Sequence, residues 1–93
     1  MYFVYVLKSL TLRSPRDKKY YIGYSSNVLY RISQHNSILN TGYTRGRSWK
    51  LVYLEAYRSQ AVALDRERKL KQYGNVWQGV MRRIKESLDP FEL

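Results

Sequence analysis

The apolar residues at the start of the chain follow the pattern of a β-hairpin. Residues 2–8, YFVYVLK, and residues 20–24, YYIGY, are β-branched and aromatic runs of strand length. Between them lie eleven residues with a proline and four basic side chains, which predict an exposed loop. Two strands joined by one loop most simply pair antiparallel, which would bring Tyr5 close to Tyr21. Gly23 interrupts the second strand, and such a glycine often marks a close approach by another backbone or a ligand.

The middle of the chain predicts a helix and then a third strand. The polar residues 25–27 offer an N-cap for a helix that runs from residue 28 to about residue 38. Three apolar residues begin the stripe of this helix: Val28, Leu29 and Ile32. Residues 39–49, LNTGYTRGRSW, predict a loop, and residues 50–57, KLVYLEAY, predict a strand.

Two further helices are predicted in the last third of the chain. Ser59 caps a helix over residues 60–73 that Gly74 ends, and Asn75 caps a helix over residues 75–88 that an Asp-Pro pair stops. The last helix carries a clean amphipathic stripe of Trp77, Val80, Met81, Ile84 and Leu88.

These elements predict the order ββαβαα and an α/β (α+β) fold. A three-stranded antiparallel sheet alone buries too little apolar surface, so helices are expected to cover it. With 93 residues, we expect one domain over residues 1–93, with a core module at about 2–73 and a C-terminal helix at about 75–88.

Composition excludes several classes of site. The chain has no cysteine, which rules out disulfides, thiolate zinc sites, iron–sulfur clusters and a cysteine nucleophile. His35 is the only histidine, so a metal site with two imidazoles is also excluded. No apolar run approaches the roughly 18 residues of a membrane span, and the first residues do not resemble a secretory signal. We therefore expect a soluble protein of the cytoplasm.

The charge of the chain indicates a polyanionic partner. Seventeen Lys and Arg residues against seven Asp and Glu residues give a net charge of +10, spread along the sequence. Such a basic surface favours nucleic acid, and ten tyrosines and two tryptophans offer faces on which bases can stack. The alternative is a basic solvated surface around an aromatic core.

Three polar residues lie where the predicted helices face the core. Arg31 and His35, four residues apart, flank the stripe of the first helix, from which they could reach a cleft. The apolar stripe of the second helix consists of Ala63, Leu64 and Leu70, and Glu67 falls inside this stripe, between Ala63 and Leu70. A carboxylate facing the core is costly unless it is paired or binds a metal. The plainer interpretations are a surface arginine beside a buried histidine, and an ion pair of Glu67 with Arg31 or another basic residue.

Two further motifs are less specific. Glu67-Arg68-Lys69, with Glu55 upstream, resembles the acidic cluster of PD-(D/E)xK restriction-type nucleases, although those place the Glu-x-Lys on a strand rather than on a helix. The loop that contains Arg45 and Arg47 could cradle phosphates through backbone N–H groups and guanidinium forks.

Taken together, the chain resembles the GIY-YIG nuclease family, in particular its small stand-alone bacterial branch. The second signature is intact as residues 21–23, YIG, and the first has become residues 3–5, FVY, which keep the tyrosine and lose the glycine. Arg31, His35 and Glu67 stand at the family's positions in the first and second helices. The resemblance covers residues 2 to about 73. The chain departs from the family pattern in the lost glycine and in the long loop between the two tyrosines.

The resemblance implies a metal-dependent endonuclease that hydrolyses phosphodiester bonds with one divalent cation, Mg²⁺ or Mn²⁺. Glu67 would hold the metal and Arg31 would clamp the phosphate. Tyr5 would accept the proton of the attacking water, its pKa lowered by nearby cations, and His35, with an ordinary pKa of about 6.5, would take the proton onward. Tyr21 would orient the water or the phosphate. Asn75 is a possible helper of the metal glutamate.

The expected partner is nucleic acid, DNA rather than RNA, read with low sequence specificity, and no membrane. Five basic residues are expected to contact it: Arg45, Arg47, Lys69, Arg82 and Arg83. Two other readings remain open, a non-catalytic nucleic-acid-binding module on the same scaffold and a domain that binds another partner.

Overall fold

The structure, a computed structural model, describes residues 1–11, 14–37 and 47–87. Its elements follow the predicted order ββαβαα and confirm the α+β class. The six elements are β1 (Tyr2–Ser9), β2 (Tyr20–Ser25), α1 (Val28–His35), β3 (Trp49–Tyr57), α2 (Gln60–Leu70) and α3 (Asn75–Glu86). None of the helices in the described ranges is long and apolar enough to cross a membrane.

The sheet places β1 at its centre, in the order β2-β1-β3, and both pairings are antiparallel. In this register Tyr5 lies opposite Gly23 on one side and opposite Leu54 on the other. A register shift interrupts the β1–β3 pairing between Val6 and Leu7. The predicted hairpin of the first two strands is therefore confirmed, and β1 is hydrogen-bonded along both edges.

Successive side chains of β1 enter different halves of the core because side chains of a strand alternate between the two faces. Val4 and Val6 belong to a cluster formed with α2 and α3, whose other buried members are Ile22, Ala63, Leu70, Trp77, Val80 and Ile84. Tyr5 and Leu7 belong to a second cluster with Val28 and Trp49. Tyr5 consequently faces the layer that contains α1.

The first helix is shorter than the sequence predicts, and it packs two of its three predicted stripe residues, Val28 and Ile32, on the core. It ends at His35 because the side chain of Asn36 pairs with the backbone of β3. Asn36 Nδ2 donates to the Trp49 carbonyl at 3.1 Å, and the Trp49 N–H donates to Asn36 Oδ1 at 2.7 Å. Val28 and His35 are the buried residues of α1, whereas Leu29 is 81% exposed. The prediction that Leu29 belongs to the buried stripe is therefore wrong.

The boundary between the last two helices also differs from the prediction. The α2 helix ends at Leu70, and a turn leads to Tyr73, whose φ of 55° lies in the left-handed region. Gly74, rather than Asn75, is the N-cap of α3, and its cap has no side-chain hydrogen bond. Leu64, predicted in the α2 stripe, is exposed. The predicted stop of α3 at residues 88–90 lies outside the described residues.

Candidate active site

Tyr5 and His35 form the buried centre of the candidate site. The Tyr5 hydroxyl lies 3.0 Å from Nε2 of His35, across 30 residues of sequence. Tyr5 is fully buried, and His35 is 6% exposed. The central strand and the last turn of α1 thus bring together two of the residues that the family resemblance selects.

Gly23 provides the space that the Tyr5 ring occupies. A Cβ atom at position 23 would lie 2.8 Å from Cε1 of Tyr5 and still closer to Cζ and to the hydroxyl oxygen. Real Cβ atoms essentially never approach so closely, so a side chain at this position would displace the ring. The glycine of the second signature is therefore explained by the close approach of a tyrosine side chain, where the sequence suggested a backbone or a ligand.

The pKa of Tyr5 is raised, contrary to the expectation from the sequence. Burial is the main cause and the nearby Tyr21 the next, and together they raise the pKa of Tyr5 to about 12. The Arg31 guanidinium, acting on the Tyr5 hydroxyl, lowers this pKa, but its effect is smaller than that of burial. Tyr5 is therefore protonated at neutral pH.

The pKa of His35 is also shifted away from its ordinary value. Burial, and after it the positive charge of Arg31, lower the pKa of His35 to about 4. The imidazole is therefore neutral at pH 7. Since Tyr5 keeps its proton at neutral pH, its hydroxyl can donate to Nε2 of the neutral His35 imidazole.

Tyr21 and Gln34 contact the other residues of the candidate site. The ring of Tyr21 lies 4.7 Å from the His35 ring and 6.4 Å from the Tyr5 ring, measured between centroids. Oε1 of Gln34 accepts from the Arg31 guanidinium at 2.7 Å. Gln34 is a residue that sequence reasoning missed, although its position three residues after Arg31 on one helix could have indicated the contact.

Glu67 is close enough to the centre for its charge to raise the pKa of Tyr5. Its side chain is 19% exposed, and its Oε2 forms an ion pair with Nζ of Lys71 at 3.3 Å. The sequence left open an ion pair of Glu67 with Arg31 or with another basic residue. In the structure the partner is Lys71, one helical turn further along the chain. The site thus combines one half-buried carboxylate with a tyrosine, a histidine and an arginine.

This donor set fits a cation that retains most of its water. Across the described residues, no group of three or more His, Asp or Glu side chains could enclose a metal ion. Mg²⁺ is commonly held by one or two carboxylates and the phosphates of the substrate, and it keeps several waters. A single carboxylate such as Glu67 is sufficient for that form of binding.

Glu55 does not belong to the site. Its carboxylate accepts two hydrogen bonds from Arg66 at 2.9 Å and one each from the hydroxyls of Tyr53 and Tyr57. These hydrogen bonds outweigh burial and lower the pKa of Glu55. The PD-(D/E)xK interpretation, which needs Glu55 free for a metal, is therefore not supported.

The basic residues predicted to contact nucleic acid have different environments. Arg47 is buried: its guanidinium donates to Ser9 and Lys18 and lies 4.2 Å from the Trp49 ring centroid, so it anchors a loop from inside. Arg45 lies outside the described residues. The other three are exposed on α2 and α3: Lys69, Arg82 and Arg83. Lys69 pairs with a neighbouring aspartate on its own helix.

The stability of the fold is expected to fall on mild acidification because of His35. The unfolded chain takes up the proton near pH 6.5 and the folded chain near pH 4, so between these values the unfolded state binds more protons. The free energy of unfolding is expected to fall by an amount of the order of 3 kcal/mol as the pH drops from 6.5 to 4.

Urea unfolding at a series of pH values measures this loss, and the pKa can be read directly by NMR since the chain has one histidine. The variant His35→Gln is expected to keep a flat stability between pH 6.5 and 5. A His35 resonance that titrates near pH 6.5 would contradict the prediction. The pKa of Glu55 is also lowered, but the stability that this carboxylate contributes is lost only below its ordinary pKa of 4.5.

Comparisons with known proteins point to one family. A family model described as the GIY-YIG catalytic domain matches residues 1–78. The chain is 36% identical over 86 residues to a UPF0213 protein of Staphylococcus aureus, a match that covers 91% of this chain and 95% of the relative. It is 37% identical over 71 residues to a UPF0213 protein of Natronomonas pharaonis, covering 75% and 76%. It is 38% identical over 58 residues to one of Haloquadratum walsbyi, covering 61% and 65%. No solved structure matches the chain.

Proposed function

Because the chain belongs to the GIY-YIG family, whose catalytic domain is a nuclease domain, we propose that it is an endonuclease. It hydrolyses phosphodiester bonds in nucleic acid, DNA rather than RNA, with the help of one divalent cation. Its sequence specificity is low, because the basic side chains that hold the strand contact phosphates, which carry no sequence information.

The observation that carries this proposal is the convergence of Tyr5, Arg31 and His35, with the charge of Glu67 within reach. His35 hydrogen-bonds to the Tyr5 hydroxyl, and the charges of Arg31 and Glu67 both act on the pKa of that hydroxyl. Three elements that are distant in sequence, β1, α1 and α2, supply these four residues. A packing role alone does not call for an arginine, a histidine and a carboxylate around one buried tyrosine.

Tyr5 and His35 move the proton of the attacking water together. A tyrosine with a pKa of about 12 is almost wholly protonated at pH 7, so it is not a resident base. Its oxygen can instead accept a proton from water while its own proton passes to Nε2 of His35, 3.0 Å away. The neutral state of His35 is what leaves Nε2 able to accept.

Arg31 and Glu67 act on the negative charge of the substrate. The planar fork of Arg31 binds the phosphate and offsets the charge that develops during attack. Glu67 would hold a divalent cation, Mg²⁺ or Mn²⁺, which when bound stabilises charge on the phosphate and the leaving oxygen. Tyr21, packed against His35, keeps the imidazole oriented toward Tyr5.

The test of this proposal is cleavage of labelled single- and double-stranded DNA over a series of Mg²⁺ concentrations. The parent is expected to cut, and a chelator is expected to stop it. Glu67→Gln is expected to need at least about tenfold more Mg²⁺ for the same rate, because the carboxylate that holds the ion is lost.

Asp65→Asn is the matched control. Asp65 is a carboxylate on the same helix whose partners are the exposed Arg68 and Lys69, so its loss is expected to leave the Mg²⁺ requirement unchanged. Equal Mg²⁺ requirements of the parent and Glu67→Gln would contradict the assignment of the metal.

A non-catalytic nucleic-acid-binding module is the second candidate function. The ion pair between Glu67 and Lys71 favours it, because an ammonium group already neutralises the carboxylate that a cation would need. Salt-sensitive binding of DNA or RNA without any cleavage in Mg²⁺ or Mn²⁺ would decide for this alternative.

A further inference from the structure

A groove lined by lysines and aromatic rings opens at the start of β2. It consists of two adjoining cavities of about 280 and 270 Å³. We call it the Tyr73 groove, and its principal side chains are those of Lys18, Lys19, Tyr20, Lys71, Tyr73 and Trp77. None of these residues is among those that the sequence assigned to catalysis or to nucleic-acid binding.

Aromatic contacts fix the position of Tyr73 in this groove. The Trp77 ring is buried and lies edge-to-face against Tyr73 at 5.5 Å and against Tyr20 at 5.8 Å. Tyr73 itself is 39% exposed. Nζ of Lys18 lies 4.6 Å from the centroid of the Tyr73 ring. The groove therefore combines a supported, accessible aromatic face with positive charge.

Tyr73 occupies an unfavourable backbone conformation at this position. Its φ of 55° is the only positive value among the non-glycine residues that the structure describes. A bulky side chain is rarely found there, and such strain is frequent where a residue contacts a ligand. Glycine would adopt this conformation without strain.

The groove borders the candidate active site through two of its lining residues. Tyr21 lines the groove and also packs against His35 at 4.7 Å. Lys71 lines the groove and also pairs with Glu67 at 3.3 Å. A molecule in the groove is therefore separated from Glu67 and His35 by a single side chain on each path.

We propose that the Tyr73 groove binds one unpaired nucleotide of the substrate strand, next to the phosphate that is cleaved. The base stacks on Tyr73, and the flanking phosphates contact Lys18 and Lys19. Aromatic side chains bind bases of single strands in this way, with little dependence on sequence. Lys18 leaves the Tyr73 ring for the phosphate, because a solvated cation–π contact is weak.

The size of the groove favours one nucleotide over a duplex. Each cavity is slightly smaller than the range of about 300–1,000 Å³ typical of small-molecule sites. Bases within a duplex are stacked on one another and do not offer a free face to a tyrosine. The preferred substrate is therefore nucleic acid with a single-stranded segment at the cut. This inference rests on the proposed function, since it names the substrate of the same site.

The test measures binding without a divalent cation, so it is independent of cleavage. The probes are a blunt DNA duplex and the same duplex with a single-stranded extension that carries 2-aminopurine at its first unpaired position. The parent is expected to bind the extended duplex more tightly than the blunt one, and stacking on Tyr73 is expected to quench the 2-aminopurine fluorescence.

Tyr73→Gly and Tyr73→Phe form a matched pair of variants. Tyr73→Gly is expected to bind the extended duplex about 5- to 150-fold more weakly, to lose the quenching and to bind the blunt duplex as the parent does. The unfolding midpoint of Tyr73→Gly tests whether its fold is intact. We expect an intact fold, because glycine relieves the backbone strain at residue 73. Tyr73→Phe keeps the ring and is expected to match the parent.

The lysines are tested by the salt dependence of binding. Lys18→Gln and Lys19→Gln are each expected to reduce the slope of log affinity against log salt by about 0.7 on the extended duplex. Equal affinity of parent and Tyr73→Gly, or of the two probes, would overturn the inference even if the protein cleaves DNA. If the parent and variants bind as expected but the protein does not cleave DNA, the assignment of the Tyr73 groove stands and the proposal of an endonuclease fails.

Discussion

Replacement of Gly23 by alanine is expected to lower the free energy of unfolding by about 2–3 kcal/mol, as overpacking of a closed core does. The new Cβ would overlap the Tyr5 ring, and the ring cannot easily move because it is fully buried and hydrogen-bonded to His35. Any displacement also takes the Tyr5 hydroxyl away from Nε2, so the cleavage rate is expected to fall together with stability. Urea unfolding and a cleavage assay measure the two effects.

Gly79→Ala is the control for this substitution. Gly79 lies within α3, and a Cβ atom there would meet no other atom within 4 Å. Alanine is the better helix former, so this variant is expected to be stabilised by up to about 1 kcal/mol. A Gly23→Ala protein with the unfolding midpoint of the parent would show that the Tyr5 ring has room to move.

Replacement of Tyr5 by phenylalanine is expected to lower kcat by about 10²- to 10⁴-fold, the range typical of a lost general acid–base group. The ring still fills the space over Gly23, so the packing of the core is retained. The lost hydrogen bond between the hydroxyl and His35 is expected to cost about 1 kcal/mol of stability. Single-turnover cleavage at saturating DNA separates this effect from binding.

Tyr57→Phe is the matched control for the hydroxyl. Tyr57 donates to Glu55 at 2.6 Å in a network outside the candidate site. Its loss is expected to cost a similar amount of stability and to leave kcat unchanged. Cleavage by Tyr5→Phe at the rate of the parent would remove Tyr5 from the proton path.

The order of elements could be predicted from the sequence because local patterns determine it. The β-branched and aromatic runs at residues 2–8 and 20–24 mark strands whatever lies beside them. Of the predicted α3 stripe, Trp77, Val80 and Ile84 are buried and Met81 is partly buried. The ends of the helices are harder to predict from the sequence. The α1 helix stops at His35 because Asn36 pairs with Trp49, thirteen residues away, and nothing near residue 36 signals that contact.

The members of the candidate site could be selected from the sequence, but their protonation could not. The places of Arg31, His35 and Glu67 on the predicted helices single them out, and the family pattern adds Tyr5. The sequence shows that cations are present and suggests a lowered pKa for Tyr5. Burial has the opposite effect and is larger, and only the packing around the ring reveals its extent.

Arg47 and Tyr73 illustrate the same limit for binding residues. A glycine- and arginine-rich loop predicts contact with phosphate, yet the structure places Arg47 in the interior, against Trp49. Tyr73 carries no motif in the sequence. Its significance comes from a turn that places it beside Trp77 and Lys18.

The central position of β1 has a consequence for how the site is lost when the protein opens locally. Amides of a strand that is hydrogen-bonded on both edges exchange with solvent only through large openings, whereas edge strands and short helices fray first. We therefore expect Tyr5 to lie on the slowest-exchanging strand, whereas Arg31 and His35 lie on α1, the shortest of the three described helices. Partial opening of α1 would separate His35 and Arg31 from Tyr5 while the strands stay paired, so the site would come apart before the sheet does.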